Sequence, residues 1–248
     1  MNVRCRKNAA VTCGTDRLRP SRLGRTYWHL ICLRNAIGGM IERHVAGRSM
    51  MTLVDYGCGT MPYRPMFEPH IETYIACDLS GNVLADVPLD KDGRLPLADA
   101  CADIVLSSQV LEHVPNPQLY LSESWRVLQP GGLLMLSTHG VWGYHPDPTD
   151  YWRWTSQGLP KIIEMSGFQM VEFQGIMGSA AYGLQIFQDA VGGSLWRPLT
   201  TAWFACMQLL IQVVDRASSA SARQQDAGVY VVVACKQPDC AGTNPING

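Results

Sequence analysis

Acids and glycines a few positions apart are the first chemistry this chain offers. In "LVDYGCGTMPYR", residues 53–64, a strand-like start runs into Asp55, then Gly57, Cys58 and Gly59. Glycines directly after a strand let backbone approach a ligand closely, and an acid ahead of them suits a ligand with a cationic group. A second acid, Asp78, ends "TYIACD" and is followed by Leu79. It stands roughly twenty residues past the glycine turn, where a carboxylate can accept hydrogen bonds from both hydroxyls of a ribose. The plainer role for Asp78 is to cap the next turn, and the plainer role for the glycines is a tight turn with nothing bound. A dinucleotide pyrophosphate would call for a third glycine, but "GCGTMP" has Pro62 there. The set fits adenosine carrying an amino acid better than a dinucleotide.

Further along, Ser108 and Gln109 follow "DIVLSS", and Glu112 and His113 follow them in "VLEHV". A histidine can titrate near neutrality; a structural role at a helix start is the alternative for this pair. The loop "THGVWGYHPDPTDYWRWT" is rich in groups that could meet an acceptor, and loops on a rigid scaffold often carry function. His139 and His145 are its candidate general bases. Trp142, Tyr144, Asp150, Tyr151 and Arg153 are its candidate substrate contacts, since aromatic faces suit sugar rings or cations. Tyr151, Trp152 and Trp154 could equally anchor the loop. Arg153 could pair with an anionic substrate group or with Asp150.

The elements that must position these residues alternate. Strand-like runs occur at 52–56, 73–78, 103–108 and 132–138, with a helix expected over 117–128 and stopped by "QPGG". A helix at 157–166 leads through Gly167 to "FQMVEF", and "GVYVVVACK", 228–236, is the last strand. Alternating strands and helices imply a mostly parallel sheet with helices on both faces. The last strand can insert antiparallel after a helical stretch at 180–218. Residues 22–46 read as an amphipathic helix interrupted by Gly38–Gly39, and residues 1–20 as a disordered basic tail.

Composition narrows the classes. Residues 1–48 carry a net charge near +8 and the remainder near −9. An acidic body disfavours a surface that tracks nucleic acid; the basic segment is a solvated extension or one that meets phosphate or lipid headgroups. The nine cysteines form no CxxC pair, which reads as reduced thiols in a cytoplasmic protein. No ligand cluster has zinc spacing, so no metal is expected. The N-terminus lacks the apolar region of a secretory signal. Residues 199–214 are the one membrane candidate, but a helix of about 24 Å is shorter than a hydrocarbon core of about 30 Å. A buried helix, a peripheral membrane contact or a homodimer face is the expectation there.

The ordered run "LVDYGCGT", "YIACDLS", "LPLADACADIVLSSQVLEHV" and "RVLQPGGLLMLSTHG" resembles the successive motifs of class I S-adenosylmethionine-dependent methyltransferases of the type 11 subgroup, over about residues 50–175. The resemblance implies an α/β, doubly wound, Rossmann-like fold with seven mostly parallel strands and an antiparallel last strand. It implies one domain over 21–248: a helical cap at 21–48, a cofactor-binding core at 49–178, a helical insert at 179–220 and the last strand at 228–236. S-adenosyl-L-methionine is the implied cofactor. Asp55, Gly57 and Gly59, with Cys58 between them, would line its methionine part; Asp78, with Leu79, would hold the ribose; Asp90 or Asp92 would lie near the adenine; and Ser108 and Gln109 would lie beside the sulfonium. Met61 and Pro62 depart from the family's frequent extra glycine. The implied reaction is methyl transfer to a small-molecule, sugar or glycolipid acceptor. A non-catalytic cofactor-binding protein and a nucleic-acid methyltransferase remain as alternatives.

Overall fold

A computed structural model describes residues 17–194 and 196–237. The expected disordered tail lies outside these residues except for its last four positions. The elements in order are α1 (Tyr27–His44), β1 (Met51–Tyr56), α2 (Arg64–Phe67), β2 (Ile71–Asp78), β3 (Val87–Pro88), β4 (Ala102–Ser108), α3 (Pro117–Val127), β5 (Leu128–His139), α4 (Gly158–Met165), β6 (Phe168–Gly178), α5 (Ser179–Gly192), α6 (Arg197–Ala217), α7 (Ala220–Gln225) and β7 (Ala227–Lys236). Seven strands form one sheet in the order β3-β2-β1-β4-β5-β7-β6. β1 pairs in parallel with β2 and β4, and β4 with β5, while β7 runs antiparallel between β5 and β6. The doubly wound, mostly parallel sheet with an antiparallel last strand is therefore present. Its strand order reverses at β1/β4, where ligands bind in such sheets.

Central strands are apolar on both sides because both faces are covered. On one face Leu33, Ile37 and Met40 of α1 pack with Leu53, Ile104, Met135 and Val231. On the other, Leu121 of α3 and Ile163 of α4 pack with Val54, Val105, Leu134 and Val232. Lys236 closes β7 with its ammonium buried, donating to the carbonyls of Trp125 and Leu128 at the end of α3.

Two local expectations are corrected. α1 runs unbroken through Gly38–Gly39, because its buried stripe continues on both sides of the pair. A Cβ on Gly38 would stand 3.3 Å from the Met66 side chain, so that glycine serves close helix packing rather than a break. "QPGG" is also not a separate turn: Leu128 already has extended geometry, and the four residues form the bent start of β5.

The 179–220 segment supplies α5 and α6. Phe187 and Trp203 meet edge-on between them, and Gln208 bridges Gln185, Gln188 and the Arg25 carbonyl. Trp28 ties α1 to this pair, its indole donating to Asp215 and its backbone N–H to Gln208. Among the described residues no helix is long and apolar enough to cross a membrane.

Candidate functional site

β1 ends in a turn whose shape demands glycine. Gly57 has φ +85°, and a Cβ on it would lie 2.6 Å from a Val110 methyl. Its N–H and that of Cys58 both donate to the Cys77 carbonyl, at 2.8 and 3.0 Å, which fixes the turn against the end of β2. Gly59 also lies at positive φ, +52°, and a Cβ there would meet open space. The carboxylate of Asp78 accepts from the Gly59 and Leu79 N–H groups, at 2.9 and 2.7 Å, and from the Asn82 amide at 2.7 Å. Asp78 thus does cap the following turn, while its charge stands beside the open glycine. Cys58 is a buried thiol 3.9 Å from the same carboxylate, and Leu79 is half exposed beside it.

Asp55 is buried, and the Tyr74 hydroxyl donates to it. Burial raises its pKa to about 7; the Tyr74 hydrogen bond works against the rise and the nearby Asp78 charge adds to it. A carboxyl held so far above its ordinary range stabilises an incoming cation. Past β4, Gln109 adopts φ +58°, a conformation that costs a non-glycine residue energy and clusters at functional sites. Its N–H donates to the Ser137 carbonyl and its amide to the Ser137 hydroxyl, which also lies 3.3 Å from Ser108 Oγ. The buried Gln109 Oε1 has no hydrogen-bond partner. The two expected adenine acids follow β3 in an exposed turn. Asp90 accepts from the N–H groups of Asp92 and Arg94, so its carboxylate shapes the turn, and Asp92 stands at the tip.

The aromatic loop is pinned to β4 and β5. The Glu112 carbonyl accepts from the N–H groups of Tyr151 and Trp152, and the Trp152 indole donates to the Val114 carbonyl. Arg153 grips Asp150 through two nitrogens at 2.6 Å and donates to the carbonyls of Trp142, Gly143 and Trp152. That pairing holds the Asp150 carboxyl far below its usual range. Of the two partners the sequence left open for Arg153, the structure pairs it with Asp150 inside the loop. Trp152 and Trp154 stack on each other, whereas Tyr144 and Tyr151 are exposed.

Four histidines converge beneath this loop. Trp142 stacks on His139 with rings 5° from parallel and centroids 4.7 Å apart, and lies 4.5 Å from His29 of α1. His145 meets His139 edge-on at 4.5 Å and His113 at 4.9 Å. His139 Nδ1 lies 3.0 Å from Glu112 Oε1, although neither atom finds an aligned hydrogen bond. Burial lowers the pKa of His145, with His139 contributing, and lowers that of His29 further. A buried His139 and a partly exposed His145 are thus brought together at the carboxyl ends of β4 and β5. Sequence reasoning missed His29, Tyr74 and Asn82, and left Glu112 and His113 out of the site. The "LEHV" spacing was visible, and the expected helical cap over 21–48 put α1 near the cleft without singling out His29.

Residues 54–136 match the family described as "Methyltransferase domain". A Mycolicibacterium smegmatis protein named "Probable S-adenosylmethionine-dependent methyltransferase" is 32% identical over 108 residues, 41% of this chain and 41% of that protein. A methyltransferase of Mycobacterium ulcerans is 39% identical over 109 residues, 40% of this chain and 41% of that protein. The chain spans about two fifths of the length of these curated relatives. Among solved structures, the cyclase SpnF superposes with a TM-score of 0.55 at 18% identity, over 83% of this chain and 81% of that one. The phosphoethanolamine N-methyltransferase 2 of Haemonchus contortus, solved with phosphomonomethylethanolamine and S-adenosylhomocysteine, superposes with a TM-score of 0.54 at 16% identity, over 90% of this chain and 59% of that one. At such identities these structures show the shared fold. Motif order, sheet topology and family match together thus identify residues 54–136 as similar to the methyltransferase domain of class I S-adenosylmethionine-dependent methyltransferases.

Proposed function

We propose that the protein binds S-adenosyl-L-methionine across the carboxyl ends of β1, β2 and β4 and transfers its methyl group to a small acceptor beneath the aromatic loop. The observation that carries this reading is the pairing of a buried, cation-seeking Asp55 with an open positive-φ glycine turn and the Asp78 carboxylate. These groups fit the α-amino group and the ribose of that cofactor, and the unpartnered Gln109 oxygen lies between them and the loop. When bound, the cofactor supplies an activated methyl on sulfur. Asp55 holds the ammonium end, Asp78 orients the sugar, and the Ser108–Gln109 corner fixes the geometry of approach. Positioning of this kind lowers a barrier by about 7–11 kcal/mol when reacting atoms are well aligned. His139 or His145 takes the acceptor's proton, His139 being held in place by Trp142. Acceptors with a sugar or other small polar ring suit a site walled by Trp142 and open toward Tyr144 and Tyr151.

Calorimetric titration of the full chain with S-adenosylhomocysteine tests the cofactor half. The wild type is expected to bind one equivalent at micromolar affinity. Hydrogen bonds to a charged group are worth about 1.5–3 kcal/mol each, so Asp78→Ala should weaken binding by roughly a hundredfold or more. A folded wild type that binds nothing overturns the proposal. Binding without methyl transfer to any acceptor class, sugars and glycolipids included, would favour a non-catalytic binding protein.

A further inference from the structure

The loop and β4 bring together a ligand set that spacing along the chain hides. Glu112, His113 and His145 each offer a donor atom, and these lie within 4.8 Å of one another. We propose that they form a divalent transition-metal site on the acceptor side of the cleft. The donor chemistry is two imidazoles and one carboxylate, a set that leaves coordination positions open and suits borderline cations such as Zn²⁺, Co²⁺, Mn²⁺ or Fe²⁺.

Three independent features point to a ligand. The side chain of Glu112 is fully buried; Oε2 accepts from the Thr138 hydroxyl, and Oε1 is paired with His139 Nδ1 at 3.0 Å without an aligned hydrogen bond. The same oxygen also faces His113 Nε2 at 4.0 Å. Both candidate ligand histidines are oriented from behind. His113 Nδ1 lies 2.5 Å from the Thr149 carbonyl, and His145 Nδ1 lies 3.3 Å from the Gly143 carbonyl and 3.6 Å from Asp150. A carbonyl or carboxylate on one ring nitrogen fixes the tautomer that presents the other nitrogen to a cation, as outer partners of metal-bound histidines do. Donor atoms around a zinc ion sit about 3.3–3.5 Å apart given bonds of about 2.0–2.1 Å. Closing the set requires a movement of His145 of about 1–1.5 Å by that geometry, and the residue is on a loop with its side chain a third exposed.

The site extends the methyl-transfer reading and rests on it for its chemistry. A cation here would take an oxygen acceptor, a hydroxyl or phenol, as a further ligand and make its proton more acidic. The acceptor's proton is lost to solvent, the acceptor oxygen forms the new bond to the methyl carbon, and the carbon–sulfur bond breaks to leave the neutral thioether.

The test uses untagged full chain, stripped with EDTA and titrated with Co²⁺, read by calorimetry and by visible absorption of the bound ion. His145→Ala and His113→Gln are run alongside, each checked for folding by circular dichroism, and S-adenosylhomocysteine binding is measured separately. One equivalent of Co²⁺ with a ligand-field spectrum, weakened tenfold or more in both variants, is the expected result. A folded wild type that takes up no Co²⁺, or uptake unchanged in both variants, overturns the site. Co²⁺ binding without S-adenosylhomocysteine binding supports the metal site while overturning the cofactor reading. S-adenosylhomocysteine binding without Co²⁺ does the reverse.

Discussion

Replacing Asp55 with asparagine should make the protein more stable, and more so at high pH. Asp55 is 4% exposed, and its pKa is raised from 3.8 to about 7. For an acid whose folded pKa lies above its unfolded one, no penalty exists below the unfolded value. The penalty grows as pH rises between the two and is complete above the folded value. At about 1.36 kcal/mol per unit, the whole penalty is about 4 kcal/mol, roughly half of which accumulates between pH 5.5 and 8.5. Urea unfolding of the wild type and of Asp55→Asn at those two pH values reads the difference directly. The advantage of the asparagine variant should widen by about 2 kcal/mol at the higher pH. Tyr74→Phe removes the hydrogen bond that holds the acid down, so it should steepen the wild type's loss of stability with pH. Ligand binding should show the opposite preference, with S-adenosylhomocysteine favouring the ionised acid and asparagine losing most of that affinity above pH 7. A stability difference that stays constant with pH, or that narrows as pH rises, would refute the picture of a buried acid waiting for a cation.

Other perturbations test neighbouring parts. Gly57→Ala places a Cβ 2.6 Å from Val110 at φ +85°; unfolding should show a loss of about 1–3 kcal/mol, and adding Val110→Ala should restore part of it. Arg153→Ala releases the loop by removing its grip on Asp150 and three carbonyls; limited proteolysis should then cut within 140–156, while S-adenosylhomocysteine affinity stays within about twofold. Lys236→Met strands the carbonyls of Trp125 and Leu128; each unsatisfied buried group costs about 1–3 kcal/mol, which denaturant titration can measure without touching the site.

The proposed cofactor half of the site draws on residues at strand ends, and strand ends are readable from short apolar runs. Asp55, Gly57, Gly59, Asp78 and Gln109 all followed from that one rule, as did the sheet class. The family resemblance supplied their roles. The acceptor half was legible only as a list of aromatic and basic side chains. Whether Arg153 faced a substrate or Asp150 depended on how a loop folds back on β4, and local sequence carries no signal for that. A helical cap over 21–48 was expected, but that His29 is the residue of α1 to meet His139 and Trp142 depends on how the helix packs, which its own sequence does not show. Gly38–Gly39 misled because glycine's low helix propensity was outweighed by a buried face that continues past it.

The tie between Trp28, Gln208 and Asp215 has a consequence for swapping parts between relatives. Asp215 also accepts from the Gly178 N–H at the end of β6, so α1, α6 and the sheet edge are fastened at one buried point. The family match covers residues 54–136 and includes neither α1 nor α6. α1 and α6, which lie far apart in the chain, are therefore held as one unit by these bonds. Exchanging α1 and the α5–α6 hairpin together keeps these bonds, and the chimera should fold. Exchanging either alone leaves the Asp215 carboxylate and the Trp28 indole without each other, and denaturant unfolding should show that chimera to be the less stable.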